Sequence, residues 1–396
     1  MFAVLTQIRK SAARLLAFAS ILWLAACQPI AIGGGGATNG GPSINPSAPV
    51  PVALLVPRGS ASASDDHLAG ALENAARLAV SDLDGVQIDL RVYPTAGNAA
   101  QAQSAALQAV NEGAKIILGP VFAESANAVG VAVARKGVNV LAFSNNTSIA
   151  GGNVFVLGPT FSNSANRLVG FANRQGKNRI LVVYSNNVSG QAGRNAIESA
   201  VSANGATLAG TVDYEFSQPG VIDAVSRVKQ AATSNQANAI FLTANTAGAL
   251  PLFAQMLPEA GLSPATTQFI GLSRWDIPAQ TLALPGVQGG WFAMPDPGKA
   301  QAFAAHYSAA YGEAPHPIAA LAYDGIAAIG ALVKSGKSNA LTGAALTQGA
   351  GFQGASGIFR LLPNGTNQRG LAVAQIRDKK VVVIDPAPRS FGGAGY

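Results

Sequence analysis

Cysteine occurs once in this chain, as Cys27, so no disulfide, thiol catalysis or thiolate metal site is available beyond it. The fold must therefore rest on its packed core. After residue 27 there is no long uninterrupted apolar run, which excludes a transmembrane helix from that part of the sequence. No five like charges follow one another, so neither a polybasic membrane patch nor the basic clusters of a nucleic-acid binder is present. Only three histidines occur, His67, His306 and His316, and none stands in a spaced metal motif such as HExxH. A GxSxG elbow is missing, and the scattered Asp and Glu single out no catalytic pair. The run Gly33–Gly36 lacks the lysine and the preceding strand of a phosphate loop. These absences leave no local signature of an enzyme and imply no cofactor and no metal.

The N-terminus carries Arg9, Lys10 and Arg14, followed by an apolar stretch from Leu15 to Ala26. Such a stretch is too short to span a bilayer comfortably and has the layout of a secretory signal over residues 1–26. The ending Leu24-Ala25-Ala26-Cys27 resembles the bacterial lipobox, which implies that Cys27 is acylated and becomes the first mature residue. An ordinary signal peptide with a chance cysteine shares the same layout. Losing residues 1–26 lowers the formal charge from +7 to +4, a mild excess for two domains of real size. Gln28 to Val50 contains six glycines, four prolines and no charge, which predicts a flexible linker over 27–50. As a coil it would reach about 25–30 Å from the membrane.

From residue 51 strand and helix alternate. Val52–Val56 is a continuous apolar run of the kind that a buried parallel strand needs, and Asp65-Asp66 open a helix with Leu68, Ala71, Leu72, Ala75, Ala76 and Ala79 on one face. Val86 to Val92 alternates as a strand with one wetter face. A helix over about 98–112 leads to the strand Lys115–Gly119, and one over about 124–136 leads to Val138–Phe143. The cadence restarts at Arg179–Tyr184 and runs through helices near 190–204, 220–233 and 247–260. Strands are expected at 207–213, Ala239–Leu242 and Gln268–Leu272. Two successive βα arrays imply an α/β protein of two doubly wound, Rossmann-like lobes, with ligand loops at the carboxyl ends of the strands.

In order and spacing, several stretches are similar to the type I periplasmic-binding fold, in its leucine/isoleucine/valine-binding branch. They are Val52 to Leu83, Leu118-Gly119-Pro120, Gly137 to Leu141 before Ser144-Asn145-Asn146-Thr147, and Phe155 to Thr160. Ser189-Gly190-Gln191-Ala192-Gly193, Ala322-Tyr323-Asp324-Gly325 and the tail Gly354 to Ile384 with its turn Pro363-Asn364-Gly365 continue the match. The resemblance implies two lobes joined by three crossovers and closing like a hinge on a small polar ligand, such as an amino acid. It places the first lobe at about 51–160 plus 290–350, the second at 161–289 plus 351–385, and a tail at 386–396. It implies that two loops of the first lobe hold a ligand carboxylate, at Phe122-Ala123-Glu124-Ser125 and at Asn145-Asn146-Thr147.

Ala123 stands where the family usually has a serine, and Thr147 keeps a hydroxyl. In the second lobe the resemblance brings in Ser189, Asn245 at the place of a frequent aromatic, and Ser273 at the place of the acid that pairs with a ligand ammonium. Asp276 follows three residues on, Arg274 is a candidate for an anionic ligand or a solvated loop charge, and Trp275 is a candidate for stacking on a ring. Two partner readings follow from the likeness. One is a lipid-anchored receptor serving an ABC transporter permease. The other is a lipoprotein activator of a penicillin-binding protein, favoured by the missing acid and by Gln28 after Cys27, which suggests the outer rather than the inner membrane. Both readings put the protein in the periplasm, with the lipid as its only membrane contact.

Overall fold

The computed structural model describes residues 41–392, so Cys27, the segment 1–26 and the linker up to residue 40 lie outside the described residues. The first sheet contains β1 (Val50–Val56), β2 (Ile88–Pro94), β3 (Ile116–Leu118), β4 (Asn139–Ala142) and β5 (Val154–Val156). They run parallel in the order β2-β1-β3-β4-β5, with Val52 paired to Leu90 on one side and to Ile116 on the other. Between them lie α1 (Ala63–Ser81), α2 (Ala99–Asn111) and α3 (Ala123–Val133). A central parallel strand is covered on both faces, which is why β1 is apolar without alternation. Val52, Leu54 and Val56 enter the core under α1, whereas Ala53 and Leu55 enter the core under α2 and α3.

The same order recurs in the second lobe. There β6 (Arg179–Ser185), β7 (Thr207–Tyr214), β8 (Ala239–Leu242), β9 (Gln268–Gly271) and β10 (Trp291–Met294) run parallel as β7-β6-β8-β9-β10. The helices α4 (Phe161–Arg174) and α5 (Val188–Ala203) cover Ile180 and Val182 on one face. On the other face α6 (Gln218–Ser234) and α7 (Leu250–Glu259) cover Leu181 and Val183. Side-chain caps fix several helix starts: Asn98 accepts from the Gln101 N–H, Thr160 and Asn163 form a capping box, and Ser217 accepts from the Gly220 N–H.

The C-terminal third serves both lobes. Helices α8 (Pro297–Tyr311), α9 (Ala320–Lys334) and the short α10 (Gly343–Leu346) complete the α1 side of the first lobe. A small antiparallel sheet of β11 (Phe352–Gly354), β12 (Gly357–Leu361) and β13 (Asn367–Arg369) follows. Then β14 (Ala372–Arg377) and β15 (Lys380–Asp385) extend the second sheet in antiparallel fashion beside β10. The chain crosses between lobes at Leu157–Thr160, at Pro295–Asp296 and at Gly370–Leu371.

Two boundaries differ from the sequence expectation. Residues 290–294 belong to the second lobe, because Trp291 pairs with Ile270 and Gln375 within its sheet. Residues 352–369 belong with the first lobe, because Phe352, Phe359 and Leu361 are buried in its core. The linker expectation also ends early: Ile44 is buried in the first-lobe core and its N–H donates to Ser338 O at 2.9 Å. A large β-branched apolar residue gains by leaving water for the core.

The quoted stretch Ala322-Tyr323-Asp324-Gly325 lies in α9 and has a separate task at each of three positions. Tyr323 donates to Asp82 Oδ2 at 2.7 Å, tying α9 to the end of α1. A Cβ on Gly325 would stand 2.3 Å from Leu118 Cδ1, so the glycine lets α9 lie close on β3. Asp324 is fully buried and accepts from Arg369 Nη1 at 2.8 Å and from the Ala355 N–H at 2.8 Å. Replacing Asp324 with Ala leaves the Arg369 charge buried without its counter-ion, which is expected to cost about 3–5 kcal/mol. Urea denaturation of Asp324→Ala checks this, and a loss below about 1 kcal/mol would show the pair to be dispensable.

Candidate functional site

Both β5 and β10 run out of their sheets at the carboxyl end straight into a crossing, so the carboxyl edges of the two sheets face the space between the lobes. In the first lobe, the β3 and β4 loops are locked together: Gly119 N–H donates to Leu141 O at 2.8 Å and Phe143 N–H to Pro120 O at 3.0 Å. Phe122 is the N-cap of α3, and no side chain caps that helix start. The first-turn amides of α3 therefore present an unfilled set of donors with the favourable sign for an anion. Ala123 is half-buried, Glu124 is exposed, and Ser125 is buried beneath the turn. The Phe122 ring stands 3.5 Å from where a Cβ on Gly97 would lie, so it crosses the mouth of the β2 loop.

Asn145, Asn146 and Thr147 are exposed at the end of β4. Asn146 is built into the turn, donating its N–H to Ser144 Oγ at 3.1 Å and accepting the Ser148 N–H at 2.9 Å. The first crossing passes directly beneath this loop. Gly158 N–H donates to Ser144 O at 3.1 Å, and a Cβ at that glycine would come within 2.7 Å of the same oxygen. Thr147 sits on the side of the loop toward the β12–β13 hairpin, where it lines a cavity with Asn364 and Thr366.

In the second lobe, Ser189 is exposed in the first turn of α5, whose N-cap Asn187 accepts the Gly190 N–H at 2.8 Å. Asn245 is exposed after β8, and the neighbouring Thr246 hydroxyl donates to Ile277 O at 2.7 Å, joining the β8 and β9 loops. The remaining candidates part company there. Arg274 donates Nε to Asp276 Oδ1 at 2.9 Å, so the two charges adjoining Ser273 satisfy each other. Asp276 is thus not free to stand in for the missing acid, and Arg274 is not an unpaired anion receptor. Trp275 is no stacking platform: it is 0% exposed in the second-lobe core. Its indole lies against Gly271 and Gly290, where a Cβ would meet ring atoms at 2.2 Å and 2.4 Å.

Sequence reasoning named Phe122 but missed the large exposed apolar residues of the second-lobe loops. Phe122 is 37% exposed, and in the second lobe Val188 is 87%, Phe216 58% and Ile277 56% exposed. Val188 opens α5 after β6, Phe216 stands two residues past β7, and Ile277 lies in the segment that follows β9. The signal available was a large apolar residue placed past the end of an apolar run, next to a capping residue, as in Glu215-Phe216-Ser217. Thr243 and Ser273, directly after β8 and β9, bury hydroxyls that have no hydrogen-bond partner among the described residues. No hydrogen bond or ion pair among the described residues joins the strand-end loops of one lobe to those of the other, and no cluster of three or more metal-binding side chains occurs among them.

The family described as periplasmic binding protein matches residues 49–380, and the chain belongs to it. Among solved structures, a putative branched-chain amino acid ABC transporter protein from Rhodospirillum rubrum is similar, with a TM-score of 0.72 and 17% identity over 85% of this chain and 100% of that one. A substrate-binding protein from Desulfitobacterium hafniense in complex with Leu has a TM-score of 0.60 and 18% identity, covering 85% and 100%. A solute-binding protein from Rhodopseudomonas palustris in complex with 3,4-dihydroxybenzoic acid has a TM-score of 0.55 and 18% identity, covering 86% and 97%. At these identities the likeness establishes the two-lobed fold. No curated protein matches the chain.

The buried position of Trp275 has a direct consequence for stability. Trp275→Ala is expected to lower unfolding free energy by about 3–5 kcal/mol, the usual cost of emptying a core aromatic site. A denaturant titration decides the point, since a side chain waiting for a ligand would leave the midpoint almost unchanged.

Proposed function

We propose that this chain is an extracytoplasmic solute receptor that closes on a small carboxylate with an apolar body. In this reading the α3 amides take the carboxylate, and Phe122, Val188, Phe216 and Ile277 enclose the body. The observation that carries it is the position of those four exposed apolar side chains, at strand ends on both lobes. Large apolar side chains left in water gain about 1.5–3 kcal/mol each when fully buried, so a ligand that brings the lobes together is favoured by them. Leucine and 3,4-dihydroxybenzoate, the ligands named for two structural neighbours, both combine a carboxylate with an apolar portion. Thr147, Asn145 and Asn146 flank the carboxylate end, and Ser189, Asn245 and Ser273 offer polar contacts from the second lobe.

The receptor works with an ABC transporter permease and is held to the membrane by acylated Cys27, on the lipobox-like Leu24–Cys27 and the linker after it. A second reading, activation of a penicillin-binding protein at the outer membrane, rests on Gln28 and on the Arg274–Asp276 pair, which leaves a ligand ammonium without its acid at the β9 loop.

Thermal unfolding of the purified protein with leucine, other amino acids and 3,4-dihydroxybenzoate separates the two. The receptor reading expects a saturable stabilisation, about 2.7 kcal/mol at a hundredfold excess over Kd. Phe216→Ala should weaken binding while leaving the unliganded stability within about 0.5 kcal/mol, as for an exposed side chain. A flat response from folded protein across the panel would end the receptor reading and favour the activator.

A further inference from the structure

The Thr147 side of the hinge opens on a cavity of about 810 Å³ that none of the other strand-end residues named above lines. One wall is α4 with the end of α5, in the second lobe, and the other is the β12–β13 hairpin, in the first. Its volume lies in the ordinary range of small-molecule sites, about 300–1,000 Å³, but its walls do not have the usual apolar character. Leu362 is the one large apolar side chain among the lining residues, which are otherwise chiefly carboxamides, hydroxyls and guanidinium groups.

The charge balance of these walls is one-sided. Arg167, Arg174, Arg360 and Arg369 line the cavity, and no Asp or Glu does. Behind the walls a single carboxylate, Asp385, serves both Arg167 at 2.9 Å and Arg174 at 3.0 Å. Arg369 is matched by Asp324. Arg360 has no carboxylate partner among the described residues: it donates to Gln368 Oε1 at 2.7 Å and to Gly349 O at 3.1 Å, and stacks 4.6 Å over the Phe391 ring. The guanidinium groups thus exceed their counter-ions, in a concave site where the field is concentrated. Asn166 on α4 and Asn364 on the hairpin turn face this charge from opposite walls, and the buried Asn367 keeps an Oδ1 with no partner among the described residues.

We propose that this cavity is a second ligand site, taking a small polyhydroxylated anion: a sugar that carries a carboxylate or a phosphate. Guanidinium forks suit either anionic group, and carboxamides with both a donor and an acceptor suit hydroxyls. Apart from Thr147, which borders both, the site is separate from the cleft of the proposed receptor function and stands or falls without it. Because its two walls belong to different lobes, an occupant bridges the hinge.

The test is calorimetric titration of the purified protein with D-glucuronate, D-glucose 6-phosphate and neutral D-glucose at low salt, repeated with variants. Asn166→Asp and Asn364→Asp place a negative charge on opposite walls. The first is an exposed helical position, and the second retains the carbonyl-type oxygen that accepts from Thr366. The expected result is saturable binding of at least one anion and none of glucose, weakened about tenfold or more by either variant and by added salt. Phe216→Ala, in the cleft, should leave this binding unchanged. Failure of both anions to bind, equal binding to wild type and both variants, or loss on Phe216→Ala alone would each overturn the assignment. Glucuronate binding without glucose 6-phosphate binding would select the sugar acid, and the reverse would select the sugar phosphate.

Discussion

Asp324 and Arg369 are buried together where the lobes are joined, and the crossings depend on what they hold. Arg369 closes β13 just before the third crossing, and its Nε donates to Leu157 O at 3.1 Å in the first. Asn367, two residues earlier, donates Nδ2 to Val156 O at 2.8 Å and to Gly158 O at 2.9 Å, and Asn163 of α4 returns a bond to Asn367 O. The start of α4 is therefore fixed to the hairpin, and the hairpin to α9. Burial raises the Asp324 carboxyl above its ordinary range, while Arg369 and the Ala355 N–H act in the opposite direction. A charge in such a place is tolerable only because its partner lies against it and both are hydrogen-bonded.

Anchoring the crossings leaves the strand-end loops as the parts free to approach one another. The two sheets share one strand order, so each lobe offers its loops at the same kind of edge, and the crossings bring those edges to one space. Phe122, Val188, Phe216 and Ile277 are exposed after strands on the two lobes, whereas the large Trp275 supports the loop from within. The hinge flank has the opposite chemistry, with polar walls and surplus positive charge. In the proposed reading one hinge borders an apolar mouth and a cationic groove, and both change shape if the lobes rotate.

Much of the fold was legible in the sequence because buried parallel strands are short, continuous apolar runs and their helices carry alanine-rich faces. Val52–Val56, Lys115–Gly119 and Ala239–Leu242 needed no context, and the helix expected near 220–233 is α6. The site was legible only as loop positions. The family resemblance pointed to Phe122, Asn145–Thr147, Ser189, Asn245 and Ser273, but not to which side chains are exposed, since that depends on neighbours distant in sequence. Trp275 shows the limit: its burial requires Gly271 and Gly290, and the second of these reaches it only once β9 and β10 pair.

The sequence by itself determined two βα arrays, their periodicity and the edge at which the loops after the strands gather, because these follow from local pattern and from the handedness of βα crossovers. Tertiary structure decided which lobe owns 290–294 and 352–369, that Arg274 is spent on Asp276, that Ile44 leaves the linker for the core, and that four arginines share one groove. Each of these is a contact between segments that no local pattern links. Their energies come from burial and charge pairing across the completed fold, and those terms do not exist until the chain has closed on itself.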